Sequence, residues 1–437
     1  MFFPKLKKNK IIIAQDEVES YFRNIDLSKT KTPNLIRGYL NQNEFPFPKL
    51  ISDYLIKKIK SKELGYQPRI GPKHLREIIS FYENIKFPAN YDKNDIILTH
   101  GSLDGIERVT QLFNRKSEFI VSLPTYGDII KSVLTKKGKL VTILTKRQDN
   151  FNITANAIKE KINKNTAAVI LIQPGNPNSK YIKKAELEKI IKLTKEKGVY
   201  LILDEVGDNF KYYYEKINNK LHFWLPRNIT SWNVIRINSF SKGLGLAALR
   251  YGYIISKNPL IIKALGLFSK GNPTPLPNEA IYIFLFIKSF YEIYKNKLDI
   301  NLIIKIISKN SPKFLIKKDV KYLTKRKIKK TIYNIYNNEI KMKKERNYVL
   351  KKLVLNKNIL DFIEPDASYN ILCKTNYSKG SMELFKELWD KNLVYIYPGI
   401  AFGIPDNESW IRITYANPHE VNREGLNNLF KFLDKNN

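Results

Sequence analysis

The chain has one cysteine, Cys373, in 437 residues. No internal disulfide can form, and a cysteine zinc cluster is excluded. A reduced, cytoplasmic setting is the expectation, with Cys373 as a small buried apolar residue. The four histidines, His74, His100, His222 and His419, show no paired metal spacing, so no metal site is expected. Long hydrophobic runs are missing too. IYIFLFI at 281–287 is far below the roughly 20 residues of a membrane span and is predicted to be a buried helix. MFFPKLKKNKIIIA is basic, but its apolar run is too short for a signal peptide.

Acid is scarce relative to base. Asp plus Glu is 41 against 76 for Lys plus Arg, a formal net charge of +35. Such a balance raises the question of nucleic acid or an anionic membrane. The lysines, however, are spread along the whole chain among Ile and Asn rather than gathered into a recognition stripe. Neither nucleic acid nor membrane is therefore expected as the main partner, while anionic substrates or cofactors are compatible with the charge.

What is present is a core-forming chain, 43% hydrophobic. From about residue 95, short β-branched runs recur: DIIL, EFIVS, LVTIL, AAVILI, VYLIL, NVIRI and YGYIIS. Most are separated by helical spacing, as in Leu103, Ile106, Val109 and Phe113, and KKAELEKIIKLTKEKG at 183–198 is an amphipathic helix ending at Gly198. Alternation of this kind predicts an α/β fold whose sheet is mostly parallel and covered on both faces. Residues 290–345 are rich in Lys, Ile and Asn and read as helices with exposed basic faces. A smaller α/β segment follows, containing SWIRITYANP and an amphipathic tail. The expected organisation is an N-terminal arm at 1–59 contributing to a small domain, a large domain at 60–300, a basic helical connection at 301–345, and a small domain at 346–437.

The stretch SFSKGLGLAALRYGY, 239–253, admits two readings. GLGLAA fits the G-x-G-x-x-G/A dinucleotide fingerprint, but that loop must open a helix and be followed by an acid about twenty residues on. Here a strand pattern follows Arg250 at once, and no acid stands near that distance. The other reading starts from Lys242 and its company. Ser239, Lys242 and Arg250 share a small, glycine-rich loop between two buried strands, a natural anion site with an amine beside it.

This stretch resembles the S-x-S-K-x-x-G-L-x-G-x-R-x-G-Y signature of the class I/II aminotransferases, which are fold-type I pyridoxal-phosphate enzymes. Ala248 replaces the second glycine. Further matches come in order from about Gly38 to the C-terminus. The resemblance implies a seven-stranded mostly parallel sheet, a smaller C-terminal α/β domain, a homodimer, and pyridoxal 5′-phosphate joined covalently to Lys242. It makes Lys242 the group that moves the α-proton. Asp204, ending VYLILD, would keep the cofactor's ring nitrogen protonated. Ser102 with the amides of Leu103 and Asp104, at a helix N-terminus in THGSLDGIERV, would hold the phosphate together with Ser239 and Arg250. Tyr126 in SLPTYGD would stack on the ring. Asn176 in QPGNPNS would bond the ring oxygen, and Tyr66 in GYQPRIGPKHLRE would reach the partner subunit's phosphate. Arg412 in SWIRITYANP would grip the substrate carboxylate, beside Asn176.

One position departs from the family. Where D-E-x-Y commonly stands, this chain has DEVG, with Gly207 in place of the tyrosine that donates to the ring oxygen. Asp208 or Tyr212 are the candidate substitutes. The expected reaction is transfer of an amino group between an L-amino acid and a 2-oxo acid. A lyase, decarboxylase, cyclase or oxidase on the same cofactor is the alternative opened by Gly207. A non-catalytic regulator is the remaining one, and the segment ahead of Gly38 is too short to hold a winged DNA-binding domain.

Overall fold

A computed structural model describes residues 9–23, 40–61, 66–136, 138–212, 224–268, 278–295, 299–392 and 394–436. All seven β-branched runs form strands: β1 (Ile96–Thr99), β2 (Glu118–Leu123), β3 (Lys139–Leu144), β4 (Thr166–Ile172), β5 (Tyr200–Asp204), β6 (Val234–Ser239) and β7 (Gly252–Ile255). They make one sheet in the order β1-β7-β6-β5-β4-β2-β3. Every neighbouring pair is parallel except those of β7, which is antiparallel to β1 and to β6. The exception follows from connectivity. A parallel crossover needs a dozen or more residues, usually a helix, whereas β6 and β7 are joined by a loop whose regular structure is a single turn of 3-10 helix, Ala247–Leu249. That settles against the dinucleotide reading of GLGLAA, since no α-helix opens there.

Side-chain alternation divides the sheet's residues between two cores. Ala168, Ile170, Ile202, Ile235 and Ile237 pack with helices Ser102–Thr110, Gly127–Thr135 and Pro259–Phe268. Val169, Leu171, Leu201 and Leu203 face helix Lys184–Glu196. Period-2 splitting of runs that are apolar throughout is what a sheet buried on both faces requires. Helix Lys184–Glu196 stops where its sequence says it should, with Gly198 at φ +65 just beyond. Near β1 and β7 the second face is closed by helices Lys49–Lys60, Lys73–Lys86 and Asn278–Tyr294. The run IYIFLFI is buried in the last of these, as predicted.

The basic stretch is helical: Ile300–Phe314, Lys317–Tyr322 and Lys325–Val354. Beyond it, β8 (Ile359–Ile363), β9 (Asn370–Thr375), β10 (Tyr397–Pro398) and β11 (Trp410–Thr414) form a wholly antiparallel sheet in the order β10-β11-β9-β8. Its core takes in helices Ser381–Asn392 and His419–Asn436 together with Ala14 and Val18 of the N-terminal helix Lys10–Arg23. Cys373 lies inside this core, and burial pushes its thiol up. No described helix is long and apolar enough to cross a membrane.

Candidate active site

The topology brings the sequence motifs to one edge of the large sheet. Register pairs Thr99 with Gly252 and Gly252 with Ser239, and it pairs Ile172 with Asp204 and Asp204 with Ile237. The C-terminal ends of β1, β4, β5 and β6 therefore share one rim, the usual ligand side of such sheets. Ser102, Asn176, Asp204, Ser239 and Lys242 all stand on or just past those ends.

Asp204 is 2% exposed, and its Oδ1 accepts from the Val206 amide at 3.0 Å. Burial raises its carboxyl to about 6, against the opposing pull of the Val206 N–H and of Lys242. Lys242 is lowered to about 8, first by burial and then by Arg412, with Arg250 adding to the effect and Asp204 and Asp128 opposing it. A lysine lowered to that range has roughly a tenth of its amine neutral at pH 7 and more as pH rises, far more of the nucleophilic form than an ordinary lysine offers. Asp204 and Lys242 act on each other, as the motif reading requires.

The anion-binding side is built on backbone. Helix Ser102–Thr110 opens at Gly101, whose φ of +85 suits glycine. A Cβ on Gly101 would stand 2.9 Å from a guanidinium nitrogen of Arg250, so the missing side chain is what lets Arg250 lie across the helix start. Arg250 itself holds a left-handed backbone, φ +54, and donates to the His100 and Ala247 carbonyls, each at 3.1 Å. The first N–H groups of a helix have no intrahelical acceptor, and those of Ser102, Leu103 and Asp104 open beneath this guanidinium. The Asp104 carboxylate turns back on its own helix: it accepts from the His100 amide at 2.8 Å and pairs with Arg108 at 2.8 Å. Ser239 is buried, and its hydroxyl accepts from the Ser241 amide at 3.3 Å.

Arg412 comes from the other sheet. It is 7% exposed and donates to the Asn176 side-chain oxygen at 2.9 Å, while its Nε has no hydrogen-bond partner among the described residues. Its guanidinium lies 4.9 Å from the Tyr397 ring centre and 5.1 Å from that of Phe402. Tyr126, just ahead of helix Gly127–Thr135, is a partly buried neighbour. Burial first and then Asp128 push its phenol well up. Tyr66 is 93% exposed on this chain.

At Gly207, a Cβ would stand 3.3 Å from Pro174 Cγ and 3.4 Å from its carbonyl oxygen, so a side chain there would be tightly met. The two candidate substitutes are engaged elsewhere. Tyr212 donates to the Ser368 carbonyl at 2.9 Å, and Asp208 accepts from Tyr181 at 2.5 Å.

Some residues had escaped the sequence reading. Tyr397 and Phe402 had no motif to mark them. A buried ionic knot behind Asp204 had one signal, the lone arginine in NVIRI. Arg236 clamps Glu205 through two bonds of 2.7 Å and reaches Glu83 at 2.8 Å, while Glu83 also accepts from Tyr253 and Lys86, each at 2.9 Å. Burial pushes the Glu205 carboxyl up to about 7, against Arg236. This knot ties the residue after Asp204 to β6, β7 and helix Lys73–Lys86.

Known proteins resemble this chain over most of its length. Residues 39–429 match the family model described as aminotransferase class I and II. The aspartate aminotransferase of Pyrococcus horikoshii is 24% identical over 433 residues, covering 98% of this chain and 99% of that one. The histidinol-phosphate aminotransferase of Buchnera aphidicola is 27% identical over 379 residues, covering 83% and 92%. Among solved structures, the aspartate aminotransferase of Thermotoga maritima superposes with a TM-score of 0.75 at 18% identity, covering 98% of this chain and 97% of that one.

Proposed function

The chain belongs to the class I and II aminotransferase family, and from that premise we propose how its own residues carry the reaction. It is a pyridoxal-phosphate-dependent aminotransferase. The reaction we assign is reversible transfer of an amino group between an L-amino acid and a 2-oxo acid. Pyridoxal 5′-phosphate supplies the aldehyde that takes up the amino group and a ring that draws electron density from the reacting carbon.

The residues present fit that group. Ser102, the amides of Leu103 and Asp104, Ser239 and Arg250 offer a phosphate both hydroxyl and N–H donors and a guanidinium. Asp204 offers a buried carboxylate to a protonated ring nitrogen, and a cation there would draw its raised pKa back down. Tyr126 would lie along the ring, and Asn176 would donate to the ring oxygen. Lys242 holds the cofactor through its amine and, once released, carries the α-proton of the substrate on Nζ. The neighbouring guanidinium groups help keep that amine neutral between transfers. Arg412 binds the substrate carboxylate, and the bond to Asn176 fixes the plane of its fork.

The observation that carries this reading is the depressed Lys242 amine between Asp204 and two arginines. Its test is a half-reaction. Given an amino acid and no acceptor, the purified enzyme should release one 2-oxo acid per site, with a lasting change in the cofactor's absorbance. Release of ammonia with recovery of the starting spectrum would show a lyase instead.

We further propose a homodimer in which Tyr66, so exposed here, reaches the partner's phosphate site. Sedimentation equilibrium tests the assembly, and Tyr66→Phe should weaken cofactor retention in the dimer. A cytoplasmic setting is the reading that a single cysteine supports. The relatives' names point to different amino donors, aspartate in one and histidinol phosphate in another, so the choice of substrate has to be argued from the residues of the site.

A further inference from the structure

Two carboxylates gather near the tyrosine beside Arg412. Asp128 stands in the first turn of helix Gly127–Thr135, two residues after Tyr126. Gln15 and Glu19 lie one turn apart on helix Lys10–Arg23, which crosses the start of that helix. The approach is close: a Cβ on Gly127 would stand 2.0 Å from the Gln15 amide oxygen, so a side chain there would displace the Gln15 amide. The Gln15 amide nitrogen donates to Glu19 Oε1 at 3.2 Å and to Asp128 Oδ1 at 3.3 Å. One buried amide thus holds two carboxylates from different helices in a single cluster. Neither carboxylate has an ion pair among the described residues.

These acids share their neighbours with the carboxylate grip. Tyr126 and Tyr397 both feel Asp128 and Glu19, and Tyr397 is also the ring beside the Arg412 guanidinium. Asp128 acts on Lys242 as well. Arg412 keeps a buried donor, Nε, without a hydrogen-bond partner among the described residues. The Tyr397 ring thus stands beside the Arg412 cation and within the field of both acids.

We propose that the amino acid this enzyme prefers carries a cationic side chain, as ornithine, lysine or arginine does, held by Asp128 and Glu19 while Arg412 holds its α-carboxylate. The inference rests on the aminotransferase reading above. A dicarboxylic substrate would need a second cation near Tyr126 and Tyr397, and the cation shown acting on these two rings is Arg412 itself. A second carboxylate would meet Asp128 and Glu19 with like charge. An uncharged aromatic side chain would leave both acids without a counter-charge. A cationic side chain supplies that charge and also suits the tyrosine faces. Asp128, partly buried, contributes more than the exposed Glu19, which solvent screens.

The experiment compares half-reactions of the cofactor-loaded enzyme with ornithine, lysine, arginine, leucine, phenylalanine and aspartate. It also measures binding of 5-aminopentanoate against glutarate by calorimetry, which needs no turnover. The expected result is that the basic amino acids convert the cofactor fastest and that 5-aminopentanoate binds more tightly than glutarate. In Asp128→Asn, the preference for ornithine over leucine in kcat/KM should fall by roughly tenfold or more. Glu19→Gln should move the same ratio in the same direction by less. Preference for aspartate or for an uncharged amino acid, or tighter binding of glutarate, overturns the proposal and leaves the aminotransferase reading standing. Failure of every amino acid to convert the cofactor overturns both.

Discussion

Arg412 donates to the Asn176 side-chain oxygen across 2.9 Å, and that bond joins the antiparallel C-terminal sheet to the loop after β4. It turns a flexible cation into a fork of fixed orientation. Replacing Arg412 by Lys keeps the charge but loses the planar two-point grip. Steady-state kinetics on Arg412→Lys should show kcat/KM lower by about a hundredfold, mostly through KM. Asn176→Ala should lower it by about tenfold, because the guanidinium remains but is no longer held.

Removing the amine should be more severe. Lys242→Ala should lower turnover by about a thousandfold or more, since anchor and proton carrier are lost together. Denaturation of the loaded variant in acid should release all of its cofactor without a reduction-trapped fraction. Reduction of the wild type with borohydride should instead leave the cofactor attached to the peptide that contains Lys242.

The pH at which that amine reacts is set by its surroundings. Its pKa is about 8 in the cofactor-free protein rather than 10.5, through burial and the two arginines. The rate of cofactor attachment to cofactor-free enzyme should therefore rise with pH and level off above about 8. In Arg412→Gln the midpoint should move up, because a like charge has gone. A midpoint near that of free lysine in the wild type would remove the basis for the arrangement.

Asp204 has the opposite shift and the opposite consequence for stability. Its carboxyl stands at about 6 when folded against 3.8 otherwise, so between those values the folded chain binds the extra proton. Stability of the cofactor-free protein should then fall as pH rises through that window. Asp204→Asn removes the buried charge. Urea titration at pH 7 should find the cofactor-free variant more stable by on the order of 2 kcal/mol, while the same substitution abolishes turnover.

The knot behind Asp204 should be intolerant of truncation. Arg236→Met strips buried Glu205 of its counter-charge beside Glu83, which keeps only Lys86. Equilibrium unfolding should show a loss of about 3 kcal/mol or more. Partial recovery in Arg236→Met combined with Glu205→Gln would mark the loss as electrostatic.

Most strands of the large sheet were legible because they are buried on both faces and so read as continuous β-branched runs, while the edge strand β3, largely solvated, was legible only from LVTIL. The second sheet was less so. Ile359–Ile363 is half solvated, β10 is two residues long, and only the WIRIT run of β11 announced a strand. Lys242, Asp204, Asn176 and Arg412 were readable because each sits in a motif and the motifs come in order. Asp128 and Gln15 were not. Their contact spans 113 positions, and Gln15 and Glu19 on an amphipathic helix look like any solvated pair until the helix is laid across Gly127. The Arg236 knot likewise needed three strands and a helix in register before its partners could be known.

The β6–β7 loop is closed at its base by the Ser239–Gly252 pairing, so Lys242, Ser239 and Arg250 hang from the same sheet as Asp204 and Ser102. Arg412 stands on the other sheet. Were the two sheets to move apart, the acid end of a bound ligand would be let go while the groups of the large sheet kept their stations. Product departure and cofactor loss would then be separate events, one fast while the other is slow.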